Sequence, residues 1–166
     1  ITGASRGIGA EIARHFAKEG CKLSLIARDR KNLEAVLKGI GTIEGGHDYL
    51  EINLRDPGAP TEAVKELLSR HEIIDIVIHN VGGALGIKDP LAKVNDWLEV
   101  WKFNVGIAME INALLLPTMK GNKWGRIVHI SSMNAVTGGT MVEPYGGSPA
   151  YNCAKAYLNM YVKTLG

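Results

Sequence analysis

Residues 1–9, Ile1-Thr2-Gly3-Ala4-Ser5-Arg6-Gly7-Ile8-Gly9, admit two readings. Gly3-Ala4-Ser5-Arg6-Gly7 fits the G-x-S-x-G elbow, in which a strained strand-to-helix turn lifts a nucleophilic serine to the top of a hydrolase sheet. Gly3, Gly7 and Gly9 also make a glycine-rich turn. Such a turn lets the backbone approach a pyrophosphate, whose charge rests on the N-terminal dipole of the next helix. An elbow needs a strand and an oxyanion loop upstream, then an acid and a histidine in that order, and it leaves Gly9 without a role. The turn needs a helix directly after it and strands alternating with helices beyond.

The following sequence meets the second requirement. Ile8, Ile12, Ala13, Phe16 and Ala17 recur at helical spacing up to Glu19, and Gly20 ends the run as a C-cap does. "KLSLIA" (22–27) then reads as a strand, "RKNLEAVLKGI" (30–40) as a helix, "HDYLEINL" (47–54) as a strand and "PTEAVKELLSRH" (60–71) as a helix with a proline start. "IIDIVIHN" (73–80) is a nearly continuous β-branched run, and "GRIVHISS" (125–132) is another, the pattern of parallel strands covered on both faces. This alternation predicts an α/β fold with a doubly wound parallel sheet. Between the last two strands, Trp97, Leu98, Trp101, Phe103, Val105, Ile107, Met109, Ile111 and Leu114 to Leu116 surround a helix on most sides, which predicts burial all round. Its surplus apolar surface needs a second subunit or further chain to cover it.

Length and composition set bounds. A chain of 166 residues with 46% hydrophobic content suffices for one domain, burying roughly two-thirds of its unfolded surface. A net charge of +2, from 19 basic and 17 acidic residues, provides no basic stripe for nucleic acid and no polybasic membrane patch. Cys21 and Cys153 form no C-x-x-C, read as buried thiols, and suit a reducing cytoplasm. No apolar run approaches the roughly 18 to 20 residues that span a bilayer. The five histidines lack metal-ligand spacing, and His79 at a strand end reads as a packing residue. Ile1-Thr2 reads as the end of a strand, so the sequence is expected to be part of a longer chain.

Four short pieces, taken in order, resemble the classical short-chain dehydrogenases/reductases. "TGASRGIG" (2–9) matches that family's T-G-x-x-x-G-x-G turn, "HNVGG" (79–83) its Asn-Asn-Ala-Gly segment and "KFNVG" (102–106) its mid-helix asparagine. "ISS" (130–132) with "YNCAK" (151–155) supplies the serine and the Tyr-x-x-x-Lys. Singly each is weak, since a Y-x-x-x-K recurs by chance, but all in register are specific. The resemblance covers residues 1–166 and implies a Rossmann-type, three-layer dinucleotide-binding catalytic domain lacking its C-terminal portion.

Tyr151 and Lys155 stand one helical turn apart and share a face of a helix that begins near Pro149. Their proximity has a chemical use, because a nearby ammonium favours the anion of a phenol. The resemblance implies that Tyr151 is the general acid/base, that Lys155 acidifies it and holds the nicotinamide ribose, that Ser132 hydrogen-bonds the substrate oxygen, and that Asn104 holds a water. It also implies cofactor contacts from Gly3, Ser5, Arg6, Gly7, Ile8, Gly9, Arg28, Asn53, Leu54, Asn80 and Gly82. Ser132 stands 19 residues before Tyr151, where the family has about a dozen, so "TMVEPYGG" (140–147) reads as an inserted loop. Tyr145 lies 13 residues from Ser132, but residue 149 is Pro and gives it no lysine partner.

Arg6 and Arg28 bear on cofactor choice. They can meet the extra phosphate of NADP(H), whereas NAD(H) calls for an acid on the ribose hydroxyl, and the position of that acid holds Ala27. Asp29 is the rival, read as facing solvent, so NADP(H) is expected over NAD(H). The implied protein is a cytoplasmic homo-oligomer, a dimer or tetramer, acting on a small carbonyl or alcohol. A non-catalytic NADP(H) sensor or scaffold is the other reading.

Overall fold

The computed structural model describes residues 1–41, 46–138 and 147–165. Along them run α1 (Gly7–Lys18), β1 (Ser24–Ala27), α2 (Arg30–Ile40), β2 (Asp48–Glu51), α3 (Ala59–Arg70), β3 (Ile76–His79) and α4 (Val94–Trp101). A π-helical turn (Lys102–Gly106), α5 (Ile107–Gly121), β4 (Arg126–His129), α6 (Asn134–Thr137) and α7 (Pro149–Leu165) complete the order. Contacts gather these into two compact units, Ile1–Asn80 with Ile111–Val128, and Val81–Glu110 with His129–Gly166. Tyr145 and most of the inserted loop lie outside the described residues.

The first unit is built on a sheet. β1 and β2 pair in parallel from Ser24↔Asp48 to Ala27↔Glu51. On the other side of β1, Ile26 N donates to Ile1 O at 2.9 Å and Ala4 N donates to Ile26 O at 3.2 Å, while Thr2 N donates to Ile78 O of β3 at 2.9 Å. The opening residues therefore lie between β1 and β3, and β4 pairs with β3. The order is β2, β1, Ile1–Thr2, β3, β4. Strand order reverses at the opening segment, which makes the end of that segment the topological switch point where α/β sheets bind ligands.

Helices cover both faces of this sheet. Leu25 and Ala27 pack with Ala10, Ala13 and Ala17 of α1 and with Leu33 and Val36 of α2. Small alanines let α1 approach the strand closely. Complete burial of Leu25 and Leu33 contributes roughly 1.5–3 kcal/mol each. Ile26 points to the opposite face, as strand alternation requires. There it lines an apolar pocket with Ala63 and Leu67 of α3 and with Ile111 and Leu115 of α5. α1 stops at Glu19, after which Gly20 adopts φ +79° and Cys21 N donates to Phe16 O at 3.0 Å, so the predicted glycine C-cap is present.

In the second unit Val100, Val105, Ala150, Ala154 and Leu158 form a core, with Trp97, Trp101 and Tyr161 packed against it. Trp101 meets Tyr157 edge-on, their centroids 5.6 Å apart.

Several sequence expectations are corrected. The long apolar helix is interrupted where Ile107 N donates to Lys102 O, five residues back. Leu98 is 48% exposed and Leu114 is also exposed, so burial is not complete all round. One extra residue in a turn shifts an apolar stripe by about 100°, and a run that looks apolar on every side is two successive stripes. Arg126 and Val128, which share one face of β4, are exposed, so that face is not covered as the sequence pattern predicts; among the described residues β4 pairs with β3 alone. Ile8, read as a core position of α1, is 61% exposed in that helix's first turn. Cys153 is exposed and Cys21 half-buried, since Cys153 lies between Tyr151 and Lys155 and so off the face they share. Among the described residues no helix is long and apolar enough to cross a membrane, and no group of three His, Cys, Asp or Glu side chains could hold a metal ion.

Candidate active site

Each glycine of the opening turn has its own physical reason. Gly3 and Gly7 adopt φ of +65° and +56°, a region costly for other residues. Gly9 has no room for a side chain, because a Cβ there would collide with Gly3 O and stand 2.6 Å from Asn80 Nδ2. Asn80 Nδ2 donates to Gly3 O at 3.0 Å, tying the turn to the end of β3. α1 then begins at Gly7 with Arg6 at its N-cap, no side-chain cap and no acid in its first turn. Its leading N–H groups and positive dipole are thus open to an anion, and the close-packed glycines fit a pyrophosphate.

Ser5 is half-buried in the turn, whereas Arg6, Gly7 and Ile8 are exposed. Arg28 is exposed directly after β1. Asp29 is exposed, as expected. It caps α2, its two oxygens accepting from Asn32 N at 3.0 Å and Asn32 Nδ2 at 2.6 Å. Asn53 and Leu54 follow β2, with Asn53 donating to Asp56 Oδ1 at 2.7 Å and Leu54 buried. The expected cofactor residues of this unit therefore follow the carboxyl ends of the opening segment, β1, β2 and β3. His79 is buried with Nε2 2.8 Å from Asn112 Oδ1, in keeping with a packing role.

The second unit brings together Gly82, Asn104, Ser132, Tyr151 and Lys155. Ser148 starts α7 by accepting from Tyr151 N at 3.3 Å, with Pro149 at the first helical position. This cap holds Tyr151 in the first turn, and the Ser148 hydroxyl also donates to Ile87 O. Lys155 follows one turn later, its Nζ 5.7 Å from the centre of the Tyr151 ring. Lys155 is only 3% exposed, and its Nζ donates to Ile130 O at 2.8 Å. Burial lowers its pKa to about 8. His129 is pushed down to about 4, by burial first and then by the Lys155 charge, so it is neutral near pH 7.

Asn104 is fixed at every polar atom. Its Nδ2 donates to Val100 O at 2.7 Å and to Gly83 O at 2.8 Å, and its Oδ1 accepts from Gly83 N at 3.0 Å. Both amide hydrogens are engaged, so a water on this side chain has only the second lone pair of Oδ1. Gly82 borders the same atoms: a Cβ there would lie 2.5 Å from Asn104 Oδ1 and 3.1 Å from Lys155 Nζ.

The two adjacent serines differ. Ser131 donates its hydroxyl to Asn159 Oδ1 at 2.6 Å, whereas Ser132 Oγ accepts from Asn134 N at 3.2 Å and keeps its proton for another acceptor. Sequence reading missed Gly83, Ser148 and Asn159. Only Ser148 left a signal, the Ser-Pro pair before the helix.

The sequence matches the family model described as short chain dehydrogenase over residues 1–166. A serine 3-dehydrogenase of Agrobacterium fabrum is 33% identical over 97% of this chain and 61% of its own length. Among solved structures, L-sorbose reductase from Gluconobacter frateurii, complexed with NADPH and L-sorbose, superposes with a TM-score of 0.86 at 30% identity, covering 99% of this chain and 61% of that one. A 3-oxoacyl (acyl-carrier-protein) reductase from Agrobacterium tumefaciens with NADP bound gives 0.84 at 28% identity over the same shares of 99% and 61%. The chain thus spans about three-fifths of the length of these relatives.

Proposed function

Since the chain belongs to the short-chain dehydrogenase family, we propose that it is the nucleotide-binding and catalytic part of an oxidoreductase that interconverts a carbonyl and an alcohol with NADP(H). The observation that carries this reading is the buried Lys155 amine beside the Tyr151 ring on one face of α7. NADP(H), when bound, supplies or accepts the hydride. The glycine turn of Gly3, Gly7 and Gly9, with Ser5, Ile8, Asn53, Leu54, Asn80 and Gly82, would hold it, and Lys155 would hold its nicotinamide ribose.

In the reductive direction Tyr151 Oη gives its proton to the substrate oxygen, and the phenolate left behind is stabilised by the Lys155 ammonium. Ser132 Oγ donates a hydrogen bond to the same oxygen as negative charge develops there. Asn104, through Gly83 and Val100, keeps the neighbourhood of Lys155 Nζ in place. In the oxidative direction Tyr151 takes the alcohol proton instead.

Preference for NADP(H) is supported by exposed Arg6 and Arg28, with each oxygen of Asp29 already accepting a bond in the cap of α2. Arg28→Ala should weaken NADPH binding at least tenfold and NADH binding little, as measured by fluorescence titration. Equal losses for both would refute the preference. Exposed Leu98, Tyr157 and Met160 support self-association, and free Cys21 and Cys153 support a cytoplasmic location. Titration of the full-length protein with NADPH, followed by assay against a panel of ketones, aldehydes and sugars, tests the main reading. Turnover of at least one carbonyl is the expected result. Tight NADPH binding without turnover of any would favour a sensor.

A further inference from the structure

Tyr151, Lys155 and Asn159 occupy three consecutive turns of one face of α7, at i, i+4 and i+8. The second and third of them reach the same short segment that follows β4. Lys155 Nζ donates to Ile130 O at 2.8 Å, and Asn159 Oδ1 accepts from the Ser131 hydroxyl at 2.6 Å. Two neighbouring residues of the segment are thus held by two neighbouring turns of the helix. Ser132 comes next, and 18 residues of chain separate it from Tyr151. On one side of Ser132 the bonds from Lys155 and Asn159 of α7 fix Ile130 and Ser131, and on the other the Gly138 carbonyl after α6 accepts from Asn152 Nδ2 at 2.6 Å, so Ser132 is set from both sides by α7.

From this geometry we infer that Asn159 is a positioning residue: by fixing Ser131 it sets where Ser132 stands relative to Tyr151. This rests on the reductase reading above. The Asn159 side chain meets the segment at the Ser131 hydroxyl, so its effect passes through Ser131. The bond also decides between the adjacent serines. With its proton given to Asn159, Ser131 cannot donate to a substrate oxygen, whereas Ser132 can.

The test compares Asn159→Leu, which keeps size and removes the acceptor, with Asn159→Asp, which keeps an oxygen there, each alone and in a Ser131→Ala background of the full-length enzyme. Loss of one neutral hydrogen bond corresponds to about tenfold in rate. N159L should lower kcat about tenfold with NADPH affinity unchanged, N159D should restore most of it, and N159L should add nothing once Ser131 is alanine. Amide hydrogen exchange at residues 132–134 should rise in N159L whether or not substrate is present. Wild-type kcat with unaltered exchange in N159L, or an equal loss in the S131A background, would overturn the proposal. A wild-type protein that turns over no carbonyl would instead overturn the reductase reading, and this inference with it.

Discussion

Replacing Gly82 by alanine tests how tightly the Asn104–Lys155 corner is built. The new methyl would stand 2.5 Å from Asn104 Oδ1 and 3.1 Å from Lys155 Nζ. Carbon needs roughly 3.5 Å from a neighbouring heavy atom, so Oδ1 must retreat by about 1 Å and Nζ by a few tenths. The lysine end can swing, but the asparagine amide is held by Val100 O, Gly83 O and Gly83 N. Moving it costs the bond to Gly83 N and distorts the others, about 2 kcal/mol in total. For a chain of this size that lowers Tm by roughly 4–8 °C. A displaced Lys155 amine also leaves the place beside the Tyr151 ring that the proposed proton transfer needs, so kcat should fall at least about tenfold. The decisive comparison is the same substitution in an Asn104→Ala background, where the methyl finds space and the added cost should shrink below about 0.5 kcal/mol. Thermal denaturation of the four proteins reads this directly. Equal losses in both backgrounds would refute the steric account.

Gly9→Ala places a methyl against Gly3 O and 2.6 Å from Asn80 Nδ2, so the turn must open, and NADPH affinity should drop at least tenfold, about 1.4 kcal/mol, by fluorescence titration. Unchanged affinity would show that the turn does not hold the cofactor. Lys155 titrates near 8 in the folded protein, against 10.5 for a solvated lysine. Between those values the unfolded chain carries the extra proton, so stability should rise with pH across that window, by on the order of 3 kcal/mol, and fall again as pH returns to 8. Urea unfolding at several pH values should show this rise in the wild type and not in Lys155→Met; identical profiles would contradict it. Ser148→Ala removes the cap of α7 and should cost about 1 kcal/mol in urea unfolding, with a lower kcat as the turn holding Tyr151 frays. An unchanged unfolding midpoint would remove Ser148 from the account.

What the sequence revealed depended on how local each feature was. Tyr151 and Lys155 share a helix face because four residues make about one turn, and that spacing is visible in the letters alone. The glycine turn was equally legible, since positive φ and close approach leave a mark in residue type. Strand lengths were not. "IIDIVIHN" reads as one eight-residue strand, yet β3 spans Ile76–His79, because hydrophobicity marks burial whereas a ladder needs paired backbone groups. The π turn at Lys102–Gly106 had no periodic signal and was hidden in a run apolar on every side. Asn159 could not be found either: its partner Ser131 is 28 residues away, and only folding brings them together. Cys153 misled because cysteine is among the most buried residue types on average, while its helix face decides the individual case.

The central claim is that a phenol on α7 is the proton donor of a hydride-transfer reaction. The rate of carbonyl reduction by the full-length enzyme at saturating NADPH, for the wild type and for Tyr151→Phe, tests it most directly. Phenylalanine keeps the ring and its packing and removes only the proton, so NADPH should bind as before while kcat falls at least about a hundredfold. Turnover at the wild-type rate with phenylalanine at residue 151 would contradict the assignment.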